Sequence, residues 1–273
     1  ILYTCAMQEI RNYYAFSLGR EWRLSLAELI AIFWEKSYEE HSEDVAIFSI
    51  PGKTEEELEK IFRTIGGSIR LIKIVSETDE KRFATDIIQE IKKKSEWKIT
   101  FALGAYGLEY RTSDIGLRIK KSLSDNWASV RLVNQENKNI NAASFKKERL
   151  GKSKMEWNII GVAMPSHTNE EVALEKSKYP GIKPITDIDK KSPKMWNIYF
   201  GYTIACQDID AYSHRDTAKS RDMIVGMMPP KLVQMMLNIA AVDETTTVYD
   251  PFSGLGTTLI ESANRGITKL IGS

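Results

Sequence analysis

One stretch near the carboxy terminus constrains this chain more than any other: Thr247-Val-Tyr-Asp-Pro-Phe-Ser-Gly-Leu-Gly-Thr-Thr-Leu-Ile-Glu261. A short apolar strand breaks at Asp250-Pro251, a tight turn runs through Gly254 and Gly256, and a helix opens at Thr257. Such a turn brings bare backbone and one carboxylate to the carboxy-terminal edge of a parallel sheet, where open α/β sheets bind their ligands. A phosphate-cradling P-loop would need Lys-Ser/Thr after its last glycine, and Thr257-Thr258 stand there instead. A dinucleotide fingerprint would need a third glycine or alanine where Leu259 stands. A carboxylate beside bare backbone suits a positively charged, phosphate-free ligand such as S-adenosylmethionine. An ordinary β-turn-α connection is the alternative that the residues leave open.

The chain before this stretch is long enough to matter. At 273 residues it suits two or three domains. The net charge of +1 does not mark a bulk nucleic-acid binder, so any basic surface must be local and offset by runs such as Glu55-Glu56-Glu57. Cys5 and Cys206 lie too far apart for a disulfide framework or a zinc site, which predicts no metal and a reducing, cytoplasmic location. No apolar run could span a bilayer and no signal-peptide pattern opens the chain, so no membrane partner is expected.

Element signals alternate through the front. Tyr13–Gly19 reads as a strand, Leu24–Trp34 as a helix with a Ser25/Glu28 capping box, and Val45–Ile50 as a strand. A helix over Thr54–Thr64 with a Thr54/Glu57 box follows, then strand Ile69–Val75. This rhythm suggests a small α+β sandwich of ferredoxin-like type over residues 1–78. A second module, 79–164, has helices at Phe83–Lys94, Ser113–Leu123 and Asn141–Leu150, and strands at Trp97–Ala102, Ser129–Val133 and Glu156–Val162. Residues 165–194 are polar and proline-punctuated, a linker. The third part, 195–273, opens with a strand over Met195–Ala205 and a helix whose amino terminus suits Pro229 and Pro230.

Asp250-Pro-Phe-Ser-Gly-Leu-Gly-Thr-Thr-Leu-Ile-Glu261, preceded by Arg221-Asp222 and Gly226-Met-Met-Pro-Pro-Lys-Leu232, resembles the S-adenosylmethionine-dependent tRNA guanosine N2-methyltransferases that act on position ten of tRNA. Phe16-Ser-Leu-Gly-Arg-Glu-Trp-Arg-Leu-Ser-Leu-Ala-Glu-Leu29 is similar to the ferredoxin-like front of that group. Trp97–Gly107, Ser129–Val133 and Asn139–Leu150 are similar to its THUMP domain, an RNA-binding module. The resemblance implies an α/β and α+β multidomain protein: a ferredoxin-like module, a THUMP-like domain and the start of a Rossmann-like methyltransferase domain. It implies S-adenosylmethionine as cofactor and tRNA as partner. Asp250, Phe252, Gly254, Gly256 and Thr257 would line the cofactor pocket, with Pro230 and Met227-Met228 over its methionine end.

Three basic runs would meet RNA phosphates: Lys93 and Lys94, Lys120 and Lys121, and Lys146, Lys147 and Arg149. Trp97, Tyr106 and Trp127 stand nearby in sequence as possible stacking residues; solvated helix faces and core aromatics are the plainer reading. Tyr212 and Arg215 are expected to orient the parts or touch RNA, and His214 to act in a linker.

One departure from the family pattern is sharp. Its catalytic Asp/Asn-Pro-Pro-Tyr/Phe tetrapeptide does not occur; Met227-Met-Pro-Pro230 lacks the polar and aromatic flanks and precedes the glycine turn. The chain starts at Ile1 and ends at Ser273 after an apolar run, which reads as a fragment of a longer enzyme, expected to bind cofactor poorly and not to catalyse by itself. No catalytic residue is assigned. Two other functions fit the residues: a DNA amino-methyltransferase, and an RNA-binding module without a catalytic site of its own. Neither the modified nucleotide nor an activating partner subunit follows from the sequence.

Overall fold

The computed structural model of the protein describes residues 12–79, 81–94, 98–108, 111–125, 129–134, 136, 138–163, 196–217 and 228–273. Trp97, Trp127, the stretch 165–194, Arg221-Asp222 and Met227 lie outside these described residues.

The front of the chain is β1 (Tyr13–Leu18), α1 (Trp22–Phe33), β2 (Tyr38–His41), β3 (Val45–Ser49), α2 (Glu55–Phe62) and β4 (Ser68–Thr78). β1 runs antiparallel between β3 and β4, and β2 adds beyond β3. β2 was not expected. Tyr-Glu-Glu-His carries no apolar alternation and becomes a strand through its pairing with Ala46–Phe48. The Thr54/Glu57 capping box forms: Thr54 N–H donates to Glu57 Oε2 at 2.7 Å, and Glu57 N–H donates to Thr54 Oγ1 at 3.2 Å. The Ser25/Glu28 box does not form. α1 begins earlier, at Trp22, so Ser25 lies inside the helix and donates back to the Glu21 carbonyl at 3.0 Å. Glu28 is left to bond outside its own helix.

Next come α3 (Phe83–Lys93), β5 (Lys98–Tyr106), α4 (Thr112–Ser124), β6 (Ser129–Leu132), α5 (Ala142–Lys147), α6 (Leu150–Ser153) and β7 (Glu156–Ala163). The single helix expected over Asn141–Leu150 is two. Asn141 caps α5 through Ser144 N–H, and Arg149 breaks the run in a left-handed conformation with φ 53°. β5 is parallel to both β6 and β7.

β8 (Trp196–Cys206) unites the two halves. It pairs antiparallel with β4 on one side and β7 on the other, giving one eight-stranded mixed sheet in the order β2-β3-β1-β4-β8-β7-β5-β6. Among the described residues, three apolar clusters lie along the sheet, a smaller one around Ile47, Ile72 and Ile160 and two larger ones that include helix residues. Of the larger two, one is built on Phe16, Leu29, Phe48 and Phe62; the other is built on Ile87, Ile91, Phe101, Ile119 and Trp157. Where the cores meet, Arg70 of β4 reaches past β8 to Glu156 of β7, Nε to Oε2 at 3.0 Å, and both side chains are buried. Arg70 also donates to the Ile140 carbonyl at 2.9 Å and to Cys206 Sγ at 2.6 Å, so every face of the guanidinium is engaged. Burial opposes its charge, but the nearby Glu156 carboxylate wins and raises its pKa.

The chain ends with α7 (Ile209–Thr217), α8 (Pro230–Ile239), β9 (Thr247–Asp250), α9 (Thr257–Asn264) and β10 (Lys269–Gly272). β9 and β10 make a two-stranded parallel sheet, packed through Val248 and Leu270 on Val233 and Leu237 of α8 and on Ile267. α8 in turn packs against α1, so this last part is seated on the front of the molecule.

Candidate functional site

The turn after β9 is built as the sequence predicts. Asp250 ends the strand, and its Oδ1 accepts the Phe252 N–H at 3.1 Å, an Asx turn that reverses the chain at Pro251. β10 anchors the loop from the side: Ser273 N–H donates to the Asp250 carbonyl at 3.2 Å, and Ser253 N–H to the Ser273 carbonyl at 3.3 Å. Gly254 and Gly256 hold φ of 49° and 74°, left-handed values that favour glycine. A Cβ on Gly256 would meet no atom within 4 Å, so this glycine serves backbone conformation rather than packing, and the space over the turn is open.

The turn thus offers bare backbone, the half-buried Asp250 carboxylate and the ring of Phe252, which is 91% exposed. These suit the cation and adenosine of S-adenosylmethionine. Thr257, first residue of α9, is buried beneath the turn. Pro230 lies on a different element from these five. It opens α8 as its first residue, and the carbonyl of the next residue, Lys231, is pressed against Gly66. Met228, just before it, is exposed.

α9 is held by a buried carboxylate of its own. Glu261 is 0% exposed and accepts from Arg215 Nε of α7 and Gln234 Nε2 of α8, both at 2.8 Å. Arg215 therefore orients α9, and its guanidinium also lies 4.6 Å from the centre of the Tyr212 ring. Tyr212 is itself buried, which pushes its hydroxyl up to about 12. His214 sits on α7, within a helix rather than a linker.

The basic candidates separate into groups. Lys146 and Arg149 line one groove of about 1640 Å³ between α2, α5–α6 and α7, with Phe62, Phe145 and Ile204 in its walls. Lys152, Lys154 and Arg63, which sequence reasoning did not select, line it too. Their signal is weak in the sequence, because they become neighbours only when β8 brings the two halves together. Lys147 is exposed on α5, and Lys120 and Lys121 lie on α4, away from this groove. Lys93 is paired with Glu90 one turn back.

Lys94 serves the fold. Its ammonium donates to the Lys154 carbonyl at 2.8 Å and lies 5.2 Å and 5.4 Å from the ring centres of Trp157 and Tyr202. Tyr106 is half-buried against the sheet, and burial, with Glu156 nearby, raises the pKa of its hydroxyl, so it is no open stacking surface.

Residues 204–271 match the family described as RMKL-like, methyltransferase domain. This part of the chain is methyltransferase-like. Use of S-adenosylmethionine goes with such a domain. No curated protein matches the chain in sequence. Among solved structures it is similar to TrmN from Thermus thermophilus, with 12% identity, a TM-score of 0.48, and coverage of 95% of this chain and 64% of that one. It is also similar to a possible methylase from Clostridium difficile 630, at 13% identity and TM-score 0.43, covering 94% of this chain and 56% of that one. A predicted N6-adenine-specific DNA methylase from Listeria monocytogenes str. 4b F2365 is similar at 12% identity and TM-score 0.41, with 93% and 55% covered. The chain spans about two thirds or less of the length of each of these three. Among the described residues no helix is long and apolar enough to cross a membrane.

Proposed function

We propose that the protein is an S-adenosylmethionine-dependent RNA methyltransferase acting on the exocyclic N2 of a guanosine in tRNA. The observation that carries the cofactor half is the turn from Asp250 to Thr257. Its carboxylate lies at the end of a parallel strand, beside two left-handed glycines with open space above them. The chemistry to be supplied is transfer of a methyl group from the sulfonium to the amine, for which the protein's main task is to hold the two in line. The RNA half is supported by the front of the molecule. The β-α-β-β-α-β order, with strands β4-β1-β3-β2 adjacent in the sheet, supports the ferredoxin-like reading. The parallel strands β6-β5-β7, with the basic helices α3 to α6, supply the region read as THUMP-like.

Competition binding tests the substrate class. Labelled tRNA bound to the chain is expected to be displaced by unlabelled tRNA and not by duplex DNA at equal nucleotide concentration, with affinity falling steeply as salt rises. Displacement by duplex DNA would establish the DNA amino-methyltransferase reading instead. A second reading is an RNA-binding module without a catalytic site of its own, since the basic helices α3 to α6 would account for RNA binding without the glycine turn. Methyl label transferred to tRNA by these residues alone would overturn it.

A further inference from the structure

Gly66 and Gly67, in the turn before β4, mark the point where the front of the molecule meets its methyltransferase-like end. Neither has a positive φ, so what they supply is space. A Cβ on Gly67 would stand 2.6 Å from Ser25 Oγ of α1, and one on Gly66 would collide with the Lys231 carbonyl of α8. With no side chains there, both N–H groups turn into the Glu28 carboxylate of α1 at 2.8 Å each. Glu28 is 0% exposed and takes a third donor, Asn238 Nδ2 of α8, at 2.6 Å.

Asn238 extends the joint in both directions. Its Nδ2 also donates to the Thr64 carbonyl at 2.9 Å, and its Oδ1 accepts from Arg265 at the carboxy-terminal end of α9. Burial raises the Glu28 pKa against the pull of Gly66, Asn238, Gly67 and Arg265. Apolar residues would fill this interface at lower cost than a desolvated carboxylate, whereas directional hydrogen bonds fix one geometry among several that apolar packing would tolerate.

We infer that Glu28 is a positioning residue: by binding the Gly66-Gly67 turn and Asn238 together, it fixes α8, and through Arg265 α9, at one orientation on the eight-stranded sheet. It thereby sets the distance from the basic front surface to the glycine turn that α9 carries. The importance of that distance rests on the methyltransferase reading proposed above; the joint itself does not.

Double electron–electron resonance between spin labels at Ser124→Cys and Asn264→Cys, in a Cys5→Ser/Cys206→Ser background, reads the orientation directly. The parent is expected to give one narrow distance distribution. Glu28→Gln keeps the shape of the side chain but replaces an acceptor oxygen with a donor, and should at least double the width or shift the maximum. Gly66→Ala attacks the same joint from the opposite side and should do likewise. Phe101→Leu, a truncation in the other core, should leave the distribution unchanged at a comparable loss in Tm, and tRNA affinity should stay within a factor of two in all variants. Parent-like distributions in Glu28→Gln and Gly66→Ala, or equal broadening in Phe101→Leu, would overturn the inference. Absence of tRNA binding in the parent would sink the RNA reading while leaving the distance result to stand or fall by itself.

Discussion

The seam between the two halves of the sheet offers the most demanding test. Glu156→Gln removes the charge that balances Arg70 but keeps the shape, leaving a guanidinium whose side chain is only 2% exposed beside a neutral amide. Breaking a buried pair from one side costs about 3–5 kcal/mol, because the remaining charge stays desolvated without a partner. Arg70 keeps the Ile140 carbonyl and Cys206 Sγ as acceptors, which places the expected loss near the lower end of that range. With an m-value near 3 kcal/mol/M, a loss of about 3 kcal/mol moves the urea midpoint down by about 1 M at unchanged slope. Arg70→Met/Glu156→Leu removes both charges and fills the same volume, so it should unfold at a higher urea concentration than Glu156→Gln. Adding 1 M NaCl should leave the Glu156→Gln difference in place, since buried pairs are little screened. A loss under about 1 kcal/mol for Glu156→Gln, or a double variant weaker than the single, would refute the view that a desolvated charge pair holds the seam.

Three further outcomes follow from particular contacts. Gly256→Ala meets no steric obstacle but must hold φ 74°, so it should cost about 1–2 kcal/mol in thermal unfolding, and a neutral effect would remove the conformational case for this glycine. Burial pushes the Cys206 thiol up from 9.0 to about 11 despite Arg70 beside it, so at pH 8 its thiolate should be about a hundredfold scarcer than that of an unshifted thiol. Alkylation in a Cys5→Ser background should therefore be slow at pH 8 and climb through pH 11; fast modification at pH 8 would contradict it. Lys146→Ala and Arg149→Ala should each reduce the salt slope of tRNA binding by about one, whereas Lys94→Ala should leave the slope alone and cost about 1 kcal/mol of stability. The reverse pattern would misplace the RNA surface.

Much of the local structure was legible because its causes are local. The Thr54/Glu57 box, Pro230 at a helix start, the left-handed glycines 254 and 256, and the basic end of α3 all depend on residues a few positions apart. So does the conformation of the turn from Asp250 to Thr257. What failed did so where a distant partner outbid a near one. Ser25 and Glu28 have the spacing of a capping box, yet Glu28 bonds to residues 38, 39 and 210 positions away. The strand at Tyr38–His41 has no intrinsic pattern and exists by pairing.

The conformation of the turn at Asp250–Thr257 belongs to the sequence alone, since residue type at neighbouring positions decides it. Tertiary structure alone decided three things: that β8 joins β4 and β7 in one sheet, that Arg70 and Glu156 meet across it, and that Glu28 ties α1 to α8 and so to the part bearing the glycine turn. Each rests on a buried polar group. Such a group must find its partner wherever the fold places one, and the periodicity of a sequence carries no record of that choice.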